Sequence, residues 1–310
     1  MHDGPIGERH MLLKNLIIYR LAKKWSLKPD DLEKKLEAQA LQPCASFEME
    51  SRGWLPPQGE HRLVYTQAHH WLLMLGVEQK LLPASVIRQA AKDRAAQITA
   101  QLGRPVGRKQ MRDLRDQVTN ELLPRALSKR ATTRAWIDTK GRWLVVDAGA
   151  DKKAEEFVDA LRRAEEDFPC KRLETERSPG SAMTRWLASG KPPAGFSIDQ
   201  DLELQSVDLA KSTIRYTRHS LEGREIRDHI ASGKTVIRLG MTWKDKITFV
   251  LTDELHVKRV NFVDIIRDET GEEAEDADEQ FDIDFALMTG ELSLFLDDLA
   301  EALDGEKAKD

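Results

Sequence analysis

Five residues, Gly103-Arg104-Pro105-Val106-Gly107, interrupt what would otherwise be one long helix-forming stretch. Glycine costs about 1 kcal/mol and proline about 3 kcal/mol in a helix interior, so two glycines and a proline in this space end any helix. The chain is therefore predicted to form two helices, Ala84 to Leu102 and Arg108 to Leu122, folded back as a helical hairpin. In the second, Met111, Leu114, Val118 and Leu122 recur at helical spacing as a narrow apolar stripe, which leaves the arginines on the other sides. Pro124 ends it.

The hairpin is also where the positive charge collects. The whole protein is −5, with 48 Lys plus Arg against 53 Asp plus Glu. Residues 264–310 hold 18 acidic side chains and three basic ones, so residues 1–263 carry 45 basic and 35 acidic. The densest basic stretch contains Lys92, Arg94, Arg104, Arg108, Lys109, Arg112, Arg115, Arg125, Lys129, Arg130 and Arg134, against Asp93, Asp113, Asp116 and Glu121. Near-surface charge acts over about one Debye length, roughly 8 Å, so a local excess of this kind is a candidate polyanion surface even on an acidic protein. The other reading is a solvated helix face.

At 310 residues the chain exceeds what one core supports, and two or three packed units are expected. Leu12 to Leu21 reads as a buried strand, and Ser26 with Pro29-Asp30-Asp31 signals a helix start. Gly53-Trp54-Leu55-Pro56-Pro57 reads as punctuation, and His61 to Val77 as two strands. Ala135 to Ala148 is a β-hairpin candidate around Thr139-Lys140-Gly141, followed by an amphipathic helix from Asp151 to Phe168. Short helices at Met183 to Ala188 and Leu221 to Ala231 precede a three-strand meander, Thr235 to Gly240, Ile247 to Thr252 and Val257 to Val263. Phe281 to Leu303 closes the chain as a helix. The class is α+β, with two antiparallel-sheet α+β units plus a protruding basic helical hairpin. The expected divisions are 1–11 a disordered extension or an upstream start, 12–83 and 124–170 a central domain, and 84–123 the hairpin tip. Beyond these come 171–268 a second α+β domain, 269–280 an acidic linker, 281–303 a helix packing on the core, and 304–310 a tail.

The chemistry is notable for its gaps. There is no run of about 18–20 apolar residues and no secretory signal, and the two cysteines, Cys44 and Cys170, stand far apart without a Cys/His cluster. A cytosolic protein without a disulfide or structural zinc is expected. No P-loop or GxGxxG occurs, and no serine sits in a GxSxG elbow. His69-His70 is read as one packed residue, His69, and one surface residue, His70, since strand neighbours point to opposite faces and cannot easily share a metal. Asp282-Ile283-Asp284 is read as linker acidity. No metal, cofactor or catalytic residue is assigned.

Several strings together resemble the RdgC family of bacterial recombination-associated DNA-binding proteins. They are Lys14-Asn15-Leu16-Ile17-Ile18-Tyr19-Arg20-Leu21, Gly53-Trp54-Leu55-Pro56-Pro57, Leu122-Leu123-Pro124-Arg125-Ala126, Trp136-Ile137-Asp138-Thr139, and Phe285-Ala286-Leu287-Met288-Thr289-Gly290-Glu291-Leu292. The resemblance implies a homodimer of curved subunits that meet at both ends, forming a ring whose basic hole encloses duplex DNA. It further implies little sequence preference, weaker contact with single-stranded DNA, antagonism of RecA on the same DNA, and a cytoplasmic, nucleoid-associated protein. Family members often carry a phenylalanine after Pro-Arg-Ala, where this chain has Leu127, which keeps an apolar plug and loses ring stacking. Arg218-His219 matches a polar pair near the family's subunit contact, so Leu127, Arg218 and His219 are the expected dimer residues.

Two readings from other classes stay beside this one. The chain could be a protein-interaction module that docks a recombinase, with DNA contact incidental. A nuclease built on Asp253, Glu254, Asp282 or Asp284 is the third.

Overall fold

The computed structural model describes residues 13–59, 62–166, 168–208, 210–263 and 277–307. The expected extension at 1–11 and most of the acidic linker at 269–280 lie outside the described residues. The chain divides into two compact units, one made of 1–33, 56–73 and 133–310 and the other of 34–55 and 74–132.

The larger unit is built around β1 (Leu16–Leu21), whose apolar run is buried on both faces. Antiparallel strands spread from it in the order β5 (Ser128–Asp138), β6 (Trp143–Asp147), β1, β12 (His256–Phe262), β11 (Ile247–Thr252), β10 (Lys234–Trp243), β8 (Phe196–Ser206) and β9 (Thr213–Tyr216). β7 (Cys170–Arg172) also pairs with β1, and β3 (Val64–Gln67) with the start of β4 (His70–Lys80). The meander read from the sequence is β10, β11 and β12: β11 has the expected bounds, β10 is longer at both ends, and β12 is shifted by one residue.

The C-terminal helix, α7 (Ala277–Ala302), supplies the centre of this unit's core. Phe285, Met288, Leu292, Phe295 and Leu296 are buried with Leu16, Ile18, Trp136 and Trp143. Several acids of this segment serve the fold. Asp297 Oδ1 accepts the Trp143 indole N–H at 3.3 Å, Asp298 Oδ2 accepts that of Trp243 at 2.8 Å, and Lys246 pairs with Glu291. Asp282 and Asp284 are part of α7 and not of a linker, which corrects the sequence reading: Asp282 accepts the Tyr65 hydroxyl and the buried Asp284 accepts Gln280. α4 (Asp151–Ala164) buries Phe157, Val158 and Leu161, and α5 (Pro179–Ser189) lays Met183, Trp186 and Leu187 against Val236, Leu239 and Met241. α6 (Arg224–Ala231) completes the helices of this unit, burying Ile226.

His69 and His70 exchange the places expected of them. β3 and β4 are joined by a tight turn through Ala68, at φ 53°, and His69. Strand alternation therefore begins only at His70, which is buried with Nδ1 accepting the Trp136 indole at 3.2 Å, while His69 is partly exposed. The two rings lie 4.0 Å apart between centroids, tilted by 43°, so the argument from opposite faces does not hold in a turn.

The smaller unit pairs β2 (Glu50–Leu55) with the second half of β4. Gly53 and Trp54 are strand residues here, which corrects the reading of their string as punctuation. Leu41 N donates to Trp54 O and Trp54 N to Gln39 O, both at 2.9 Å. The backbone thus runs so close over Gly53 that a Cβ would lie 2.4 Å from Leu41 Cα, and only glycine fits. α1 (Pro29–Glu37) begins in the larger unit and ends in this one.

Candidate nucleic-acid interface

The smaller unit carries 15 basic and 8 acidic side chains within a protein whose net charge is −5. Most of that excess sits on α2 (Ala84–Leu102), α3 (Arg108–Leu122) and the residues that follow them. α2 ends where the sequence requires, at Gly103 in the left-handed region with φ 67°, its N–H bonded to Thr99 O. The two helices share a small core of Ala91, Ala95, Leu114 and Val118, with Ile87, Ile98, Met111 and Leu122 packed at its edge. Alanines on α2 allow close approach, and the apolar stripe of α3 fills the seam.

That seam fixes where the basic residues go. Arg108, Arg112 and Arg115, at i, i+4 and i+7, form a stripe along α3 beside the buried one, and all three are exposed. Among the described residues none of Lys92, Arg104, Arg108, Lys109, Arg112, Arg115 and Lys129 forms an ion pair. Arg88 is similarly exposed and unpaired, four residues before Lys92 on α2. It lay just outside the stretch counted as basic; the i, i+4 spacing to Lys92 was the signal that could have found it.

Other members of the expected set are placed differently. Arg94 is held by Glu121 across the two helices, and that hydrogen bond keeps the Glu121 carboxyl below its ordinary range, with Arg125 adding to the field. Arg125 lies in a 3-10 turn, Leu123–Arg125. Arg130, on β5, donates to Glu78 Oε2 at 3.1 Å, and Glu78 Oε1 also accepts Cys44 N–H. Those bonds hold Glu78 below the usual carboxylate range. Arg134 belongs to the larger unit and is half-buried; burial lowers its pKa, with the nearby Asp147 carboxylate opposing.

Leu127 is 78% exposed, with its carbonyl accepting Leu81 N–H at 2.7 Å. Arg218 and His219 are both exposed in the larger unit. Arg218 adopts φ 51°, and its N–H reaches Asp201; His219 packs on Tyr216 at 5.2 Å between ring centroids.

Phosphate recognition needs cations that are exposed and uncommitted, and the α3 stripe supplies them without any base-reading geometry. No helix among the described residues is long and apolar enough to cross a membrane. The family model described as "Putative exonuclease, RdgC" matches residues 11–306. A protein of Herminiimonas arsenicoxydans named "Recombination-associated protein RdgC" is 48% identical over 299 residues, covering 96% of this chain and all of its own length. Proteins with the same name from Dechloromonas aromatica and Janthinobacterium sp. are 46% and 47% identical over the same share of this chain, covering 98% and 100% of their own.

Proposed function

We propose that this chain, which belongs to the RdgC family of recombination-associated proteins, binds duplex DNA with little sequence preference, as a homodimer and without chemistry of its own. The observation that carries the reading is the stripe of Arg108, Arg112 and Arg115, exposed and without acidic partners among the described residues, on the unit that concentrates the positive charge. A basic surface of this kind reads shape and phosphate and not base edges, with single strands bound more weakly.

The relatives are named for an association with recombination. For this chain we read it as occupation of duplex DNA in a way that limits RecA access or strand exchange, by a ring of two curved subunits closed through Leu127 at one contact and Arg218 with His219 at the other. The protein would then be cytoplasmic and nucleoid-associated. The exonuclease description names an activity, but the most nuclease-like string, Asp282-Ile283-Asp284, supports no paired-carboxylate centre. Two helical positions that are two residues apart face away from each other, and each carboxylate already serves a different partner.

The experiment is solution mass with and without duplex DNA, combined with incubation of plasmid with Mg²⁺ or Mn²⁺. A dimer in both states and intact plasmid are expected. A monomer that stays monomeric on DNA overturns the ring, and shortened DNA overturns the non-enzymatic reading.

A further inference from the structure

The turn between β11 and β12 carries a group that DNA binding does not use. His256, the first residue of β12, has a side chain only 4% exposed. Its Nε2 lies 2.9 Å from Oδ1 of Asp151, the first residue of α4. A carboxylate only accepts, so this hydrogen bond puts a proton on Nε2, and in that tautomer Nδ1 carries the lone pair. Nδ1 is buried and has no hydrogen-bond partner among the described residues. It faces Oε2 of Glu254 at 3.7 Å, one acceptor opposite another.

Among the described residues no side-chain cation fills that gap. Arg172, the nearest guanidinium, is committed elsewhere: Nη2 is 3.5 Å from Asp151 Oδ1 and 3.3 Å from the carbonyl of Glu254, and Nη1 donates to Ile18 O. Burying an acceptor without a donor is unfavourable, so the site is incomplete as a set of side chains.

We propose that a divalent transition-metal cation, with Zn²⁺ as its representative, binds between His256 Nδ1 and Glu254, while Asp151 orients the imidazole from behind. Two donors 3.7 Å apart, each about 2.1 Å from a shared cation, subtend an angle of about 120°, which a four- or five-coordinate ion accepts. One carboxylate oxygen each of Asp151 and Glu254 and one ring nitrogen of His256 lie within 4.8 Å of one another. A mixed imidazole and carboxylate set favours zinc-like ions over Mg²⁺ or Ca²⁺, and a carboxylate on the distal ring nitrogen is the usual support of a metal-bound histidine. Glu254 lines a cleft of about 400 Å³ with Asp151, Tyr19, Glu155 and Arg162, from which water or an anionic oxygen completes the shell. The bound ion joins the β11–β12 turn to the start of α4.

The other cluster of similar composition, His69, His70 and Asp138, lacks this feature. His70 Nδ1 accepts the Trp136 indole, and the Asp138 oxygens accept Lys140 N–H, Gly141 N–H and the Ser293 hydroxyl. Its inward lone pairs are in use.

The test is calorimetric titration of Zn²⁺ into the chelator-treated full chain, in a background with His2→Gln and His10→Gln to remove N-terminal ligands. One site per chain is expected, weakened by about tenfold or more in Glu254→Gln and in His256→Gln and unchanged in His69→Gln. Glu254 is 70% exposed at its side chain, so its substitution decides the matter even where His256→Gln fails to fold. Zn²⁺ should also raise the melting temperature of the parent and not of Glu254→Gln. Absence of binding in the parent, or equal affinity in Glu254→Gln, overturns the proposal.

Discussion

Arg94 of α2 and Glu121 of α3 meet in a two-point ion pair, Nη1 lying 2.8 Å from Oε1 and Nη2 bonded to Oε2. The pair ties the two helices together beside their small core, and it withdraws one arginine from the surface the family resemblance marks for DNA. Arg94→Ala should therefore weaken duplex binding less than Arg112→Ala does. Glu121→Gln should tighten it and steepen the salt dependence by up to about 0.9 in log–log slope, the value of one added phosphate contact. Fluorescence anisotropy across a salt series reads both.

The C-terminal helix is the core of the larger unit, and Leu292 is fully buried in it. Leu292→Ala should lower stability by about 2–5 kcal/mol in denaturant unfolding. The segment after it is more than the tail the sequence suggested: Arg20 pairs with Glu306, Glu176 N–H donates to Gly305 O and Lys307 N–H to Glu174 O. Ending the chain at Asp304 should thus lower the melting temperature measurably, whereas a chain ending at Lys307 should melt with the full-length protein.

Burial holds His70 neutral, taking its pKa from 6.5 to about 4, with His69 acting in the same direction and Asp138 against it. Between those values the unfolded chain binds a proton that the folded chain does not. Stability is therefore full above about pH 6.5, declines as pH falls from there to about 4, and levels off below. His70→Gln keeps an acceptor for Trp136 and removes the titration, so its stability should depend less on pH over that window. Parallel curves for the two proteins would place the acid sensitivity elsewhere.

Much of this architecture is legible in the sequence because its signals are strong and local. The Gly103 to Gly107 break sets the ends of α2 and α3, and the unbroken apolar run of β1 marks a strand buried on both sides. β8 was not legible: Phe196, Leu202 and Leu204 point inward, but Asp199, Asp201 and Glu203 between them depress strand propensity, and two bulges against β10 break the alternation. The same kind of failure moved His69 and His70, where a turn residue was counted as strand. Of the basic residues, sequence order alone could not separate the free arginines of α3 from Arg94, Arg130 and Arg134. Their acidic neighbours Glu121, Glu78 and Asp147 come from other elements. His256 was invisible for a related reason, since Asp151 is 105 positions away in the chain.

Leu127 tests assembly. Its side chain makes the largest exposed aliphatic surface of the smaller unit, just after the 3-10 turn, and the proposed ring closes through it. Leu127→Asp should leave the fold intact, because an exposed residue contributes little to the core. It should also leave a dimer at micromolar concentration, but one that leaves closed circular DNA more readily as salt rises. Unfolding would make the residue core, and unchanged retention on circles would place ring closure elsewhere.

The most direct test of duplex binding through α3 is the salt dependence of affinity in the wild-type protein and in Arg108→Glu with Arg112→Glu. Both side chains are exposed and lie off the Leu114 and Val118 seam, so the double variant should keep its melting temperature. Log affinity for unrelated duplexes should fall linearly with log salt in the wild type, at about −0.9 per phosphate contact. The predicted result is a variant that binds every duplex more weakly, with a slope shallower by about two contacts. A folded variant with wild-type affinity and slope at about 150 mM salt would contradict the account and leave the stripe a solvated helix face.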